Sequence, residues 1–143
     1  MGRQGARSAP AASQRVTLVL DSHGLTALAA DRARLAELRH RGEWPPIVPT
    51  VVLTEALTGD HRRDYGENRV LRTCDVQPVD EMLARAAASL RARVRGRRAP
   101  SAVDAIVVAM ADRAGGATVL SSDVGDLRVL GRHASNQVRV EAV

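Results

Sequence analysis

Not one of the 143 residues is a lysine; all 21 basic side chains are arginine. A phosphate-binding P-loop, a Schiff-base lysine and a receiver-domain lysine are therefore excluded. Aromatic residues are nearly missing, with Trp44, Tyr65 and no phenylalanine. That removes aromatic platforms for stacking bases and leaves the core to Ala, Val, Leu and Ile. Cys74 is the single cysteine, so the chain has neither a disulfide framework nor a Cys-rich zinc site, as suits a reducing, cytoplasmic compartment. No apolar run approaches the roughly 20 residues that span a bilayer, and no signal-peptide core opens the chain, so no membrane association is expected.

What is present is enough for one domain. A chain of this length buries roughly 68–70% of its unfolded surface. Its net charge of +5 is carried by guanidinium groups, which make forked contacts with phosphate. Residues 1–15, rich in Gly, Ala, Ser and Arg without periodicity, read as a disordered tail, and 16–143 as the folded domain. Val16 to Leu20 is an unbroken apolar run with β-branched residues, the pattern of a strand buried on both faces, and Asp21 is the first polar residue after it. Helices follow from about Ser22 and from Asp31, the second ended by Gly42. Ile47 to Pro49 reads as a second strand, and Thr50 as the cap of a helix with Glu55 at its middle among apolar neighbours. His61 to Arg72 is polar and helix-like, Val76 to Val79 a third strand, and Asp80 to Arg95 a helix whose end carries a basic run, Arg91, Arg93, Arg95, Arg97 and Arg98. Gln137 to Glu141 reads as the last strand.

The stretch from Ser101 to Leu130 organises the rest. Ser101 and Asp104 form an S-x-x-D capping pattern ahead of an apolar helical face, which Gly115 and Gly116 terminate. Ala117 to Leu120 reads as a short buried strand. Ser121, Ser122, Asp123 and Asp126 follow where a parallel strand ends and a helix begins.

Strands separated by helices imply an α/β sandwich with a mainly parallel sheet, in which ligands bind beyond the carboxyl ends of the strands. Asp21 and Asp123 then share one rim, with Asp104 and Glu55 as candidates to join them. Four or five carboxylates at one rim repel each other unless something positive sits among them. A hard divalent cation, Mg²⁺ or Mn²⁺, held by oxygen ligands answers that demand. Alone, each acid has a plainer reading: Asp104 as a capping acid, Asp21 as a turn residue, Asp126 as a partner of a helix dipole and the arginine run as a solvated helix end. The histidines at 23, 40, 61 and 133 show no metal-ligand spacing.

The motifs VLDSHGL around Asp21, PTVVLTEAL around Glu55, SAVDAIVVAMA around Asp104 and TVLSSDVGDLRVL around Asp123 and Asp126 occur in an order that resembles the PIN-domain family, and within it the VapC-type ribonuclease toxins of toxin–antitoxin modules. The resemblance implies a three-layer α/β/α sandwich with a mainly parallel, roughly five-stranded sheet. It implies Asp21, Glu55, Asp104 and Asp123 as catalytic acids, with Asp21, Asp104 and Asp123 as metal ligands for Mg²⁺ or Mn²⁺. Asp126 becomes an auxiliary acid, and Ser121 the hydroxyl that bonds a ligand carboxylate. The implied activity is metal-dependent endonucleolytic cleavage of RNA. The implied partners are RNA, held along the arginine run, a small antitoxin and a second copy in a homodimer. His23 departs from the small polar or aliphatic residue common at its position.

Two other classes compete. One is a PIN-like module that binds RNA or protein without cleaving it. The other is a phosphatase of the haloacid-dehalogenase kind, which fits poorly, because it wants an Asp where His23 stands and a Lys that is missing.

Overall fold

A run of β-branched and aliphatic residues makes Leu18–Leu20 the first strand, β1, with all three side chains buried. The computed structural model describes residues 16–143, so the tail expected over 1–15 lies outside the described residues. After β1 come α1 (Ser22–Ala30), α2 (Arg32–His40), β2 (Ile47–Pro49), α3 (Thr50–Ala56), α4 (Tyr65–Leu71), β3 (Asp75–Gln77) and α5 (Glu81–Arg93). The chain continues through α6 (Ala102–Arg113), β4 (Thr118–Ser121), α7 (Gly125–Gly131) and β5 (Arg139–Ala142).

The described strands form one five-stranded sheet in the order β3-β2-β1-β4-β5, every pairing parallel. Right-handed crossovers running outward from β1 to β3 put α1 to α4 on one face; the return past β1 to β4 and β5 puts α5 to α7 on the other. The result is a three-layer α/β/α sandwich. The strand order reverses between β1 and β4, so the crevice for a ligand opens at the carboxyl ends of those two strands.

Burial follows the same plan. The central strands β1 and β4 are buried along their whole length, while the edge strand β5 is mostly exposed. The buried apolar core is entirely aliphatic, with Met110 as its one sulfur-bearing side chain. Trp44 packs at its margin and Tyr65 is 63% exposed, as a chain with two aromatic residues allows.

Several element bounds differ from the pattern read from sequence. Pro49 rather than Thr50 stands at the N-cap of α3, because its extended backbone precedes the helix and no side chain bonds the first turn. Only Tyr65–Leu71 of the polar segment 61–72 is α-helical, since Asp64 accepts bonds from Thr58 N–H, Thr58 Oγ1 and Gly59 N–H and holds the preceding residues in a compact loop. The third strand lies earlier and the last strand later than expected, at positions fixed by pairing: Val76 beside Val48, and Glu141 beside Leu120. The basic run begins in α5 but leaves the helix at Val94, so Arg95, Arg97 and Arg98 lie in the connection to α6.

One close approach locks the layers together at the crevice. A Cβ on Gly24 would stand 2.1 Å from the carbonyl oxygen of Leu120, so α1 presses directly on the backbone of β4. Gly24→Ala is expected to lower the unfolding free energy by about 2 kcal/mol or more, as overpacking against an unyielding backbone does. Denaturant unfolding at constant m-value checks this; an unchanged midpoint would mean that the two elements can part at no cost.

Candidate metal and nuclease site

Each acid reaches the crevice for a local reason. Asp21 follows β1 directly and is the N-cap of α1, its Oδ1 accepting from Gly24 N–H at 2.7 Å. The register of β1 and β4 pairs Leu20 with Leu120, which puts Asp21 beside Ser121. The Ser121 hydroxyl donates to Asp21 Oδ2 at 2.6 Å and accepts from Asp123 N–H at 2.9 Å. One buried hydroxyl thus ties the end of β1 to the turn after β4. Asp104 lies in the first turn of α6, and its backbone N–H donates to Ser101 Oγ at 3.0 Å.

Asp21 is only 2% exposed. Desolvation pushes its carboxyl above the usual range; the bonds from Ser121 and Gly24 and the nearby His23 pull against that, and the charge of Asp123 adds to the rise. The His23 Nδ1 stands 3.8 Å from Asp21 Oδ2 on an otherwise exposed ring. Burial also raises Asp104, from 3.8 to about 6, and the negative charges of Asp21, Asp126 and Glu55 push in the same direction. Asp104 therefore feels three of the other acids picked out from the sequence, and Asp21 feels the fourth, Asp123.

Glu55 departs from expectation in its place along the helix. It lies in the last turn of α3 rather than mid-helix, and it is exposed, because the helix is only seven residues long and ends at the crevice. Its Oε1 is 3.5 Å from the hydroxyl of Ser22, a long contact that still marks which way the helix end faces. Ser22, His23, Glu55 and Ser122 line a shallow depression of about 280 Å³ beside the acids. Asp123 is also exposed. Among the described residues, no three His, Cys, Asp or Glu side chains stand close enough to grip one ion as they lie.

The arginine run divides by role. Arg91 donates through Nε to the carbonyl of Pro100 at 2.8 Å, and Arg93 through Nη1 to the carbonyl of His133 at 3.0 Å, so both brace the fold. Arg97 pairs with Asp126. Arg95 and Arg98 are exposed and bond to no described residue. Nothing in residue spacing foretold the pairing of Arg97 with Asp126 or the part played by Ser22, since both depend on how loops fold over the sheet.

No family model and no curated protein sequence matches the chain. Solved structures do. The DNA-bound VapBC from Salmonella typhimurium superposes over 89% of this chain and 98% of its own, with a TM-score of 0.64 and 14% identity. The Mycobacterium tuberculosis VapC20, a sarcin-ricin loop cleaving toxin, does so over 80% and 95%, at 0.58 and 25% identity. A toxin–antitoxin complex from Klebsiella pneumoniae covers 77% of this chain and 89% of its own, at 0.57 and 20% identity. The chain has the fold of the VapC-type PIN domain. None of these neighbours is of the haloacid-dehalogenase kind. The acid rim of this PIN-like fold lies at the reversal of strand order, where β1 and β4 end.

The raised acids give the fold a pH signature. A carboxyl whose folded pKa exceeds its unfolded value is favoured in its neutral form by folding, so the native state binds more protons than the unfolded one across that interval. For Asp104 the interval runs from 3.8 to about 6. Metal-free protein is expected to lose stability as pH rises through this window, and Asp104→Asn to flatten the loss; chemical unfolding at several pH values checks both. The lowered groups Glu37, Asp64 and Asp80 act oppositely, weakening the fold as pH falls below their ordinary values of 4.5 and 3.8. Stability that rose steadily from mildly acid to neutral pH would contradict the assignment of Asp104.

Proposed function

We propose that this chain is a metal-dependent endoribonuclease and the toxin of a type II toxin–antitoxin pair. The observation that carries the reading is the pairing of two desolvated carboxyls, Asp21 and Asp104, at the strand-order reversal of a PIN fold, with Asp123, Asp126 and Glu55 close enough to charge them. Buried acids that repel one another ask for a cation, and an all-oxygen donor set suits Mg²⁺ or Mn²⁺. Asp21, Asp104 and Asp123 would hold it, with Glu55 completing the acidic wall. A bound ion of this kind supplies an activated water and neutralises charge developing on a phosphodiester.

The chain's own residues do the rest. Ser121 and the Gly24 N–H fix the orientation of the Asp21 carboxylate, leaving it little freedom to swing. Asp104, raised by burial and by the neighbouring acids, is the carboxyl whose charge a bound cation would most relieve. Arg95 and Arg98 are free to meet the RNA backbone, and the net charge of +5 favours a polyanion. The sarcin-ricin loop cleaving activity of the Mycobacterium tuberculosis neighbour and the toxin–antitoxin assembly of the Klebsiella pneumoniae neighbour support an RNA substrate and an antitoxin partner. A homodimer in the cytoplasm completes the proposal.

The second reading is a PIN-like module that binds RNA without cutting it. The wide spacing of the acid side chains favours it. Cleavage of total bacterial RNA with Mn²⁺ or Mg²⁺, with and without EDTA, separates the two. The wild type is expected to cut only with metal, and Asp104→Asn to lower the rate by at least about two orders of magnitude, while RNA binding survives. Cleavage at the wild-type rate by Asp104→Asn, in a preparation free of other nucleases, would end the ribonuclease proposal. RNA binding without cleavage by the wild type in either metal would favour the second reading.

A further inference from the structure

Arg97 is the one residue of the basic run whose guanidinium reaches the acid rim. Its loop is pinned at both ends: Val94 packs against the core, and Pro100 is buried with its carbonyl held by Arg91. Between the pins, Gly96 adopts a φ of +73°, a left-handed turn that glycine makes without strain. The turn sends Arg97 across to Asp126 in the first turn of α7, with side chains 44% and 37% exposed. An ion pair so open to water contributes little to stability, so the guanidinium is free to change partners. A phosphate diester offers it the same forked, charge-assisted contact that a carboxylate does.

The rim also needs such a group. RNA approaching Asp21, Asp104, Asp123 and Glu55 meets negative charge on every side, and a cation bound among the acids neutralises only part of it. Arg95 and Arg98 flank Arg97 in sequence and are exposed, so the loop that carries Arg97 to Asp126 is itself open and basic. We propose that Arg97 contacts the substrate at the bond to be cut, exchanging Asp126 for a non-bridging oxygen of the phosphodiester that enters beside Asp104. This rests on the ribonuclease reading and deepens it; Arg97 becomes a substrate-contacting residue, and Asp126 the group that parks it between encounters.

The test is a binding cycle, because a structural tie and a hand-over predict different couplings. Full-length protein carrying Asp104→Asn, which binds without cutting, is titrated against a fluorescein-labelled single-stranded RNA of mixed sequence between about 50 and 200 mM NaCl. Arg97→Ala is expected to weaken binding roughly tenfold and to flatten the salt slope by about 0.7. Arg85→Ala, which removes an arginine paired with Glu81 on the exposed side of α5, should leave both unchanged. Asp126→Asn is expected to tighten binding, and that gain should vanish once Arg97 is also removed, the mark of a coupled pair.

If Asp126→Asn tightened binding by the same factor with and without Arg97, the two residues would be uncoupled toward RNA and the proposal would fail. It would fail equally if Arg97→Ala left affinity and slope intact. Should Arg97→Ala not fold, as judged by circular dichroism, Arg97→Gln retains the side-chain length and gives the same comparison. Wild-type protein that neither bound nor cut RNA would bring down the ribonuclease reading itself. A wild type that cut RNA while Arg97 proved silent would overturn only this inference.

Discussion

Burial of the Asp21 carboxyl at the end of β1 is the constraint on which the rest of the structure depends. An acid that is 2% exposed survives there because Gly24 N–H and Ser121 Oγ bind its two oxygens at 2.7 and 2.6 Å. Those two bonds come from opposite sides of the crevice, one from α1 and one from β4. The same acid therefore caps a helix, fixes the junction of two strands and supplies the most desolvated charge of the rim. The bare glycine at 24 is part of the arrangement, since any side chain there would strike the Leu120 carbonyl and lift α1 away from β4.

Much of this was legible in the sequence, and what was not has physical causes. Continuous apolar runs marked β1 and β4 because a strand buried on both faces needs no polar side chain, and Asp21 and Asp123 stood out as the first acids beyond them. The capping role of Ser101 was legible for the same reason, as a local bond three residues long. The place of Glu55 was not legible because the apolar pattern around it does not show where the helix stops; α3 ends one residue after Glu55 and leaves it in the open. The short strands β3 and β5 shifted by one or two residues because pairing to a neighbour, rather than their own weak pattern, sets where they begin. The long-range partners of the arginines could not be read at all, since Arg97 meets a residue 29 positions away through a loop without periodicity.

The charge pattern gives the molecule its direction. Acids gather where β1 and β4 end, and basic side chains gather on the connection that borders them. Arg91 and Arg93 are consumed in holding that connection to the fold, while Arg95, Arg97 and Arg98 stay open or loosely held. On the proposed ribonuclease reading, a polyanion drawn to the basic loop would reach the edge of the acid rim, where a bound divalent cation would let it come closer. Burial first, and then the charges of Asp21, Asp126 and Glu55, raise the Asp104 carboxyl to about 6.

The central claim, that these acids form one site for a divalent cation, is tested most directly by calorimetric titration of Mn²⁺ into wild-type protein and into Asp21→Asn. The account predicts binding to the wild type, with a melting temperature that rises with Mn²⁺ and not with Na⁺ at matched ionic strength, and loss of both effects in Asp21→Asn. Equal binding to both proteins, or an unchanged wild-type midpoint at millimolar Mn²⁺, would contradict it.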